Sequence, residues 1–236
     1  MKIYQLIPVL SLLVVALGCH SHDAGIDPEH APPYLQHHPT DPETGYYLTD
    51  SLGYPGNQPF DPETGVVTPE PVREWEYIDQ TGQPFGSEDL QGKVYVVDFF
   101  FTSCPTICPK MMSQMLRLQE RFADNPDFAL VSFTIDPKRD TPERMTEYAG
   151  KLGITDFNRW HFIQGDKFEI YDLDEEYLSV ALENPDAPGG FDHSGYIVLV
   201  DRNGYVRSYA SGLVEEEVNH LMEDVDLLLD GPKNAG

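Results

Sequence analysis

At 236 residues the chain is long enough for one ordinary domain with extensions, and its 15 Lys and Arg stand against 40 Asp and Glu, a formal net charge of −25. So large a negative excess repels polyphosphate and anionic headgroups, which excludes a nucleic-acid role. The same charge favours solubility and encounters with cations or basic partner surfaces.

The N-terminus carries Lys2 and then an apolar run from Leu6 to Leu17, broken only by Pro8 and Ser11. This is shorter than the roughly 20 residues of a membrane-spanning helix and suits the centre of a secretory signal. The run closes in Ala16-Leu17-Gly18-Cys19, which resembles a bacterial lipobox. The resemblance implies that residues 1–18 are a signal peptide cut before Cys19, whose thiol then carries lipid. The expected location is extracytoplasmic, as a bacterial membrane-anchored lipoprotein, on the periplasmic side in a Gram-negative cell. Residues 19–71 are rich in Pro, Gly, Asp, Thr and His and lack sustained periodicity, so they are read as a tether. Within them Asp41-Pro42-Glu43-Thr44-Gly45 recurs as Asp61-Pro62-Glu63-Thr64-Gly65, two copies being too few for a solenoid. The tether histidines His20, His22, His30, His37 and His38 are taken as solvated polar sequence rather than a metal site.

The folded domain is placed at 72–236. Trp75–Asp79 and Gln83–Phe85 around Gln80-Thr81-Gly82 predict a β-hairpin. Lys93–Phe101 reads as a central strand buried on both faces, and Phe128–Ile135 as another. Between them, Met111, Met112, Met115, Leu118 and Phe122 recur at helical spacing. That spacing favours core packing over a methionine metal site. Pro142–Leu152 is a helix capped by Thr141, Trp160–Gln164 a strand containing a packed His161, and Lys167–Leu178 a helix. Gly195–Asp201 and Tyr205–Tyr209 pair across Arg202-Asn203-Gly204. Val214–Leu229 closes the chain as an amphipathic helix with His220 on its solvent side. Strands alternating with helices predict an α/β fold with a central mixed sheet, helices on both faces and an N-terminal β-hairpin extension.

With Cys19 lipidated, only Cys104 and Cys108 remain as thiols, too few for a disulfide scaffold. They sit in Thr102-Ser103-Cys104-Pro105-Thr106-Ile107-Cys108-Pro109, directly after the first central strand and at a helix start, where a thioredoxin fold puts its chemistry. The helix dipole and unpaired N–H groups favour a thiolate there, available for exchange or for a soft metal, Cu(I) above all and Zn(II) as well. His193 lies just before a strand; from position alone it fits a ligand or a turn cap equally. Asp136 ends a central strand and either orients a ligand or forms a turn. Asp192 either tunes the adjacent imidazole or points away from it.

Three motifs come in order: Thr-x-Cys-Pro-x-x-Cys-Pro at Thr102–Pro109, Thr134-Ile135-Asp136-Pro137 with Arg139-Asp140-Thr141-Pro142-Glu143, and Asp192-His193-Ser194 before a strand. Together with Trp160-His161-Phe162-Ile163 and Gly165-Asp166, they make the chain resemble the Sco/SenC family of copper-handling thioredoxin-fold proteins, from about Leu52 to the C-terminus. The resemblance implies a thioredoxin-like fold and copper held by Cys104, Cys108 and His193, as Cu(I) with Cu(II) as a second state. It implies a metallochaperone for the binuclear copper centre of cytochrome c oxidase subunit II or a similar acceptor, reduced by a thiol reductant protein. The chain is then not primarily an enzyme. The alternatives are a thiol–disulfide oxidoreductase using the Cys104–Cys108 redox pair, or a redox or copper sensor. The Pro185–Gly190 loop before His193 has no counterpart in the family pattern.

Overall fold

The computed structural model describes residues 71–154, 157–177, 179 and 181–230. The expected signal peptide, the expected lipidation site Cys19 and the repeated segment read as a tether lie outside the described residues. Among the described residues, nine strands and four α-helices follow one another in the order β1 (Glu76–Asp79), β2 (Pro84–Gly86), β3 (Val94–Phe100), α1 (Cys108–Arg121), β4 (Phe128–Thr134), α2 (Pro142–Lys151), β5 (Trp160–Gln164), α3 (Lys167–Glu176), β6 (Ala181–Glu183), β7 (Phe191–His193), β8 (Tyr196–Val200), β9 (Val206–Ser211) and α4 (Glu215–Asp230).

Seven strands form one mixed sheet in the order β2-β1-β5-β4-β3-β8-β9. The centre, β5-β4-β3, is parallel, and β8 and β9 run antiparallel to it. Both central strands are buried at every position, as unbroken β-branched and aromatic runs require. The expected N-terminal hairpin exists, but it is no appendage: Ile78 and Asp79 pair with Gln164 and Ile163, which makes β1 and β2 one edge of the sheet.

Helices cover both faces. On one, Tyr148 of α2 stacks on Phe100, and Asp224 of α4 accepts from Ser208 of β9. Arg117 of α1 bonds Asn219 of α4, so α1 shares that face. On the other, Tyr177 at the end of α3 lies against Phe99 and Phe133. The helix starts follow local chemistry. Thr141 accepts from Arg144 N, and Asp166 accepts from Phe168 N and Glu169 N, each satisfying donors the helix cannot. Met111, Met112, Met115 and Leu118 are fully buried in the core.

The sequence reading has no counterpart for β6 and β7. They form a separate two-stranded ribbon, with Ala181 opposite His193 and Glu183 opposite Phe191. Between them the Pro185–Gly190 segment ends in a 3-10 turn at Pro188–Gly190, with Gly189 at φ +86.

Candidate metal centre

β3 delivers the chain to one end of the sheet, and the loop from Phe101 to Ile107 carries Cys104 to the start of α1. Cys108 is the first residue of that helix, followed by Pro109 in the first turn, where a missing N–H costs nothing. Cys108 is buried and Cys104 half-buried. The backbone N–H of Cys108 donates toward Cys104 Sγ at 3.5 Å.

The loop is anchored from β4. The fully buried Asp140 accepts hydrogen bonds from Thr102 N at 2.9 Å, Thr102 Oγ1 at 2.5 Å and Thr134 Oγ1 at 2.7 Å. Arg144 Nε reaches Thr102 Oγ1 at 2.7 Å, and Arg139 Nη1 donates to Ser103 Oγ at 2.9 Å. The segment from Asp136 to Arg144 is therefore a bracket that fixes the two residues preceding Cys104.

His193 arrives from the ribbon at the same end of the sheet, because β8 begins there, antiparallel to β3. Its Nε2 lies 3.6 Å from Cys108 Sγ and 3.8 Å from Cys104 Sγ. The three donor atoms all lie within 4.8 Å of one another. Phe101 forms the floor, edge-on to the imidazole at 5.7 Å and against Phe191 at 4.9 Å. Gly189 crosses the same ring so closely that a Cβ there would stand 2.7 Å from it.

The two thiols are electrostatically unlike. A hydrogen bond from the Cys108 thiol, helped by His193 and the backbone and opposed by burial, holds Cys104 well below the ordinary thiol range. The same Cys104 partnership, together with burial, pushes Cys108 up. Cys104 is thus the thiolate, half-exposed, and Cys108 the buried proton carrier behind it.

Asp136 and Asp192 lie elsewhere in this network. Asp136 pairs with Arg139 at 3.4 Å, and its backbone carbonyl accepts from Arg139 N and Asp140 N, which makes it a turn former. Asp192 is exposed and accepts from Asn184 Nδ2 at 2.6 Å. Two other acids receive no role of their own in the sequence reading. Asp140 appears there only as part of a motif. Asp98 is fully buried on β3 and bonded to Ser132, which in turn accepts from Trp160 Nε1; burial raises its carboxyl to about 7. Its signal in the sequence is one acidic residue inside an otherwise apolar strand.

Comparison with known proteins identifies the lineage. The family model described as SCO1/SenC matches residues 67–229. The chain belongs to the SCO1/SenC family. Among solved structures, a SCO1/SenC family lipoprotein from Bacillus anthracis is 30% identical with a TM-score of 0.62, covering 68% of this chain and 95% of its own. BsSco, described as a Sco-family cytochrome c oxidase assembly protein with a disulfide switch, is 27% identical with a TM-score of 0.61, covering 70% and 96%. ScoI of Bradyrhizobium japonicum, solved with copper bound, is 26% identical with a TM-score of 0.54, covering 67% and 99%. The thioredoxin-like fold of this SCO1/SenC chain therefore stands on both architecture and ancestry.

The donor set of the SCO1/SenC chain has the spacing of a site for one ion. An imidazole nitrogen and a thiolate sulfur bound at about 2.0 and 2.3 Å stand about 3.5–3.8 Å apart at tetrahedral to trigonal angles. The two nitrogen–sulfur separations, 3.6 and 3.8 Å, fall at that spacing. Two sulfurs and one imidazole are a soft set, which suits Cu(I).

Proposed function

We propose that this chain is a copper-binding metallochaperone that takes one copper ion as cargo at Cys104, Cys108 and His193. Its acceptor is the binuclear copper centre of cytochrome c oxidase subunit II or a similar copper site. The observation that carries the reading is the position of His193 Nε2 between the two sulfurs, at 3.6 and 3.8 Å. Disulfide exchange alone needs no imidazole there. The copper-bound ScoI relative and the oxidase-assembly role attached to BsSco support the same reading. When bound, the copper supplies only itself; the chain supplies reversible ligation. Cys104 offers a ready thiolate, Cys108 gives up its proton on binding, and the ribbon carries the third donor. In the same reading Cys19 is lipidated after removal of residues 1–18, residues 19–71 are the tether, and the protein works on the extracytoplasmic side of a bacterial membrane.

One arrangement favours a second reading, thiol–disulfide reduction: the half-exposed Cys104, its thiol shifted down, with the buried Cys108 directly behind it at the helix start. Cys104 Sγ would attack a partner disulfide, forming a mixed disulfide and releasing one partner thiolate. Cys108, after losing its proton, would attack Cys104 Sγ and release the second. The partner gains two electrons and this chain ends as the Cys104–Cys108 disulfide. His193→Ala separates the readings when the full reduced chain is followed in two assays, copper transfer to an acceptor domain and reduction of an acceptor disulfide. The chaperone reading expects loss of copper retention and transfer with disulfide exchange largely intact. Unchanged transfer would sink it, and loss of both activities in a folded variant would favour the reductase.

A further inference from the structure

A ligand histidine has two nitrogens, and the one that does not bind metal decides how the other is presented. His193 turns Nε2 to the sulfurs. Its Nδ1 is buried and has no hydrogen-bond partner. The two acids nearest in motif do not supply one, since Asp192 is engaged with Asn184 and Asp136 with Arg139.

A third acid stands behind the ribbon. Asp174, near the end of α3, is 1% exposed. One of its oxygens, Oδ2, accepts from Ala181 N at 2.6 Å. Ala181 is the cross-strand partner of His193 in the β6–β7 ladder. The neighbouring residues Ser179 and Ser194 bond each other at 3.0 Å, so the ribbon is stitched on both sides of that pair. The other carboxylate oxygen, Oδ1, is buried and unpartnered, as His193 Nδ1 is. Two orphaned buried polar atoms, an acceptor on α3 and a potential donor on the ribbon that α3 holds through Ala181 N, are each costly alone and satisfied together. The Ser179 hydroxyl also bonds the Asp174 carboxylate, and His193 lies near enough to influence it.

We propose that Asp174 is a positioning residue for His193: its free Oδ1 takes up the Nδ1–H of the imidazole, directly or across one buried water, and so keeps the Nε2 lone pair turned toward Cys104 and Cys108. The ribbon then carries the ligand, and α3 behind it carries the group that aims it. The inference rests on the reading of this site as a copper site, but its decisive readout does not need copper.

The test uses the full chain, reduced and metal-free, with 15N-labelled histidine, and reads the His193 tautomer from two-bond nitrogen–proton couplings. The wild type should show the Nδ1–H form; a dominant Nε2–H form overturns the proposal without any variant. Asp174→Asn is the sharp perturbation. Its single carboxamide oxygen must stay with Ala181 N, which leaves its NH2 group facing the imidazole as a donor. That reverses the bond, so His193 should switch to the Nε2–H tautomer, a change a merely structural role would not produce. Asp174→Ala should give a mixture. Cu(I) affinity should fall about 10–100-fold in both variants with one site retained, the loss typical of removing a ligand's hydrogen-bond partner. A folded Asp174→Asn with the wild-type tautomer and copper affinity within twofold of wild type overturns the assignment. A wild type that shows Nδ1–H but binds no copper sinks the chaperone reading and leaves the Asp174–His193 pair standing.

Discussion

Replacing Asp140 by Ala should both destabilise the domain and loosen the cysteine loop. The carboxylate is fully buried and accepts three hydrogen bonds, two from Thr102 and one from Thr134. Hydrogen bonds to a charged group are worth about 1.5–3 kcal/mol each, but they share one acceptor and are not additive. Arg144, at 3.5 Å and 45% exposed, adds little through charge. Breaking a buried charged network by removing one member costs about 3–5 kcal/mol, so about 4 kcal/mol is expected. That is a large share of the roughly 5–15 kcal/mol that holds an ordinary domain folded. Asp140→Asn keeps one accepting oxygen and should cost about half as much. Urea unfolding of the reduced, metal-free chain at neutral pH measures both, read as a lower midpoint with unchanged slope. Because Thr102 lies two residues before Cys104, the Ala variant should also hold Cu(I) less tightly where it is still folded. A loss below about 1 kcal/mol for Asp140→Ala would refute the bracket as the element that fixes the loop.

Asp98 should make stability depend on pH. Its folded carboxyl titrates near 7 against 3.8 unfolded, so it favours the fold below pH 4 and loses that contribution as pH rises to 7. Asp98→Asn removes the titration and should be more stable than wild type by up to about 4 kcal/mol at pH 8, with the gap closing by pH 4; a gap independent of pH would contradict this. Gly189→Ala should cost about 1–3 kcal/mol, because φ is +86 and the new Cβ meets the Phe101 ring at 2.7 Å. A thermal midpoint within a degree of wild type would mean the ribbon does not press on Phe101.

Most of the sheet was legible because its signals are local. Val94–Phe100 and Phe128–Thr134 are unbroken β-branched and aromatic runs, and the methionines of α1 repeat at helical spacing. The ribbon was not legible, since Ala181–Glu183 and Phe191–His193 are three residues each and become strands only by finding each other across a loop. For the same reason the sequence pointed to Asp192 and missed Asp174. Adjacent residues on a strand face opposite ways, whereas the acid we propose as the partner of His193 stands 19 positions earlier and comes near it only through the packing of α3 and the ribbon. The pairing of His193 with Cys108 and Cys104, 85 and 89 positions earlier, entered the sequence reading only through family resemblance. Asp140 stood in a recognised motif, yet its role depends on Thr102, 38 residues earlier.

The path by which the chain enters the sheet has a consequence for traffic. Val72 N bonds Gly204 O in the β8–β9 turn, next to the start of β3, whereas Cys104 follows the end of β3. Seven residues of strand at about 3.3 Å each put roughly 20 Å between the two poles. If Cys19 is the anchor we propose, the mooring line is made fast to the stern and the cargo hatch opens at the bow. A partner that takes the cargo then docks at the bow, and the surface it covers lies a strand's length from the point where the described chain begins.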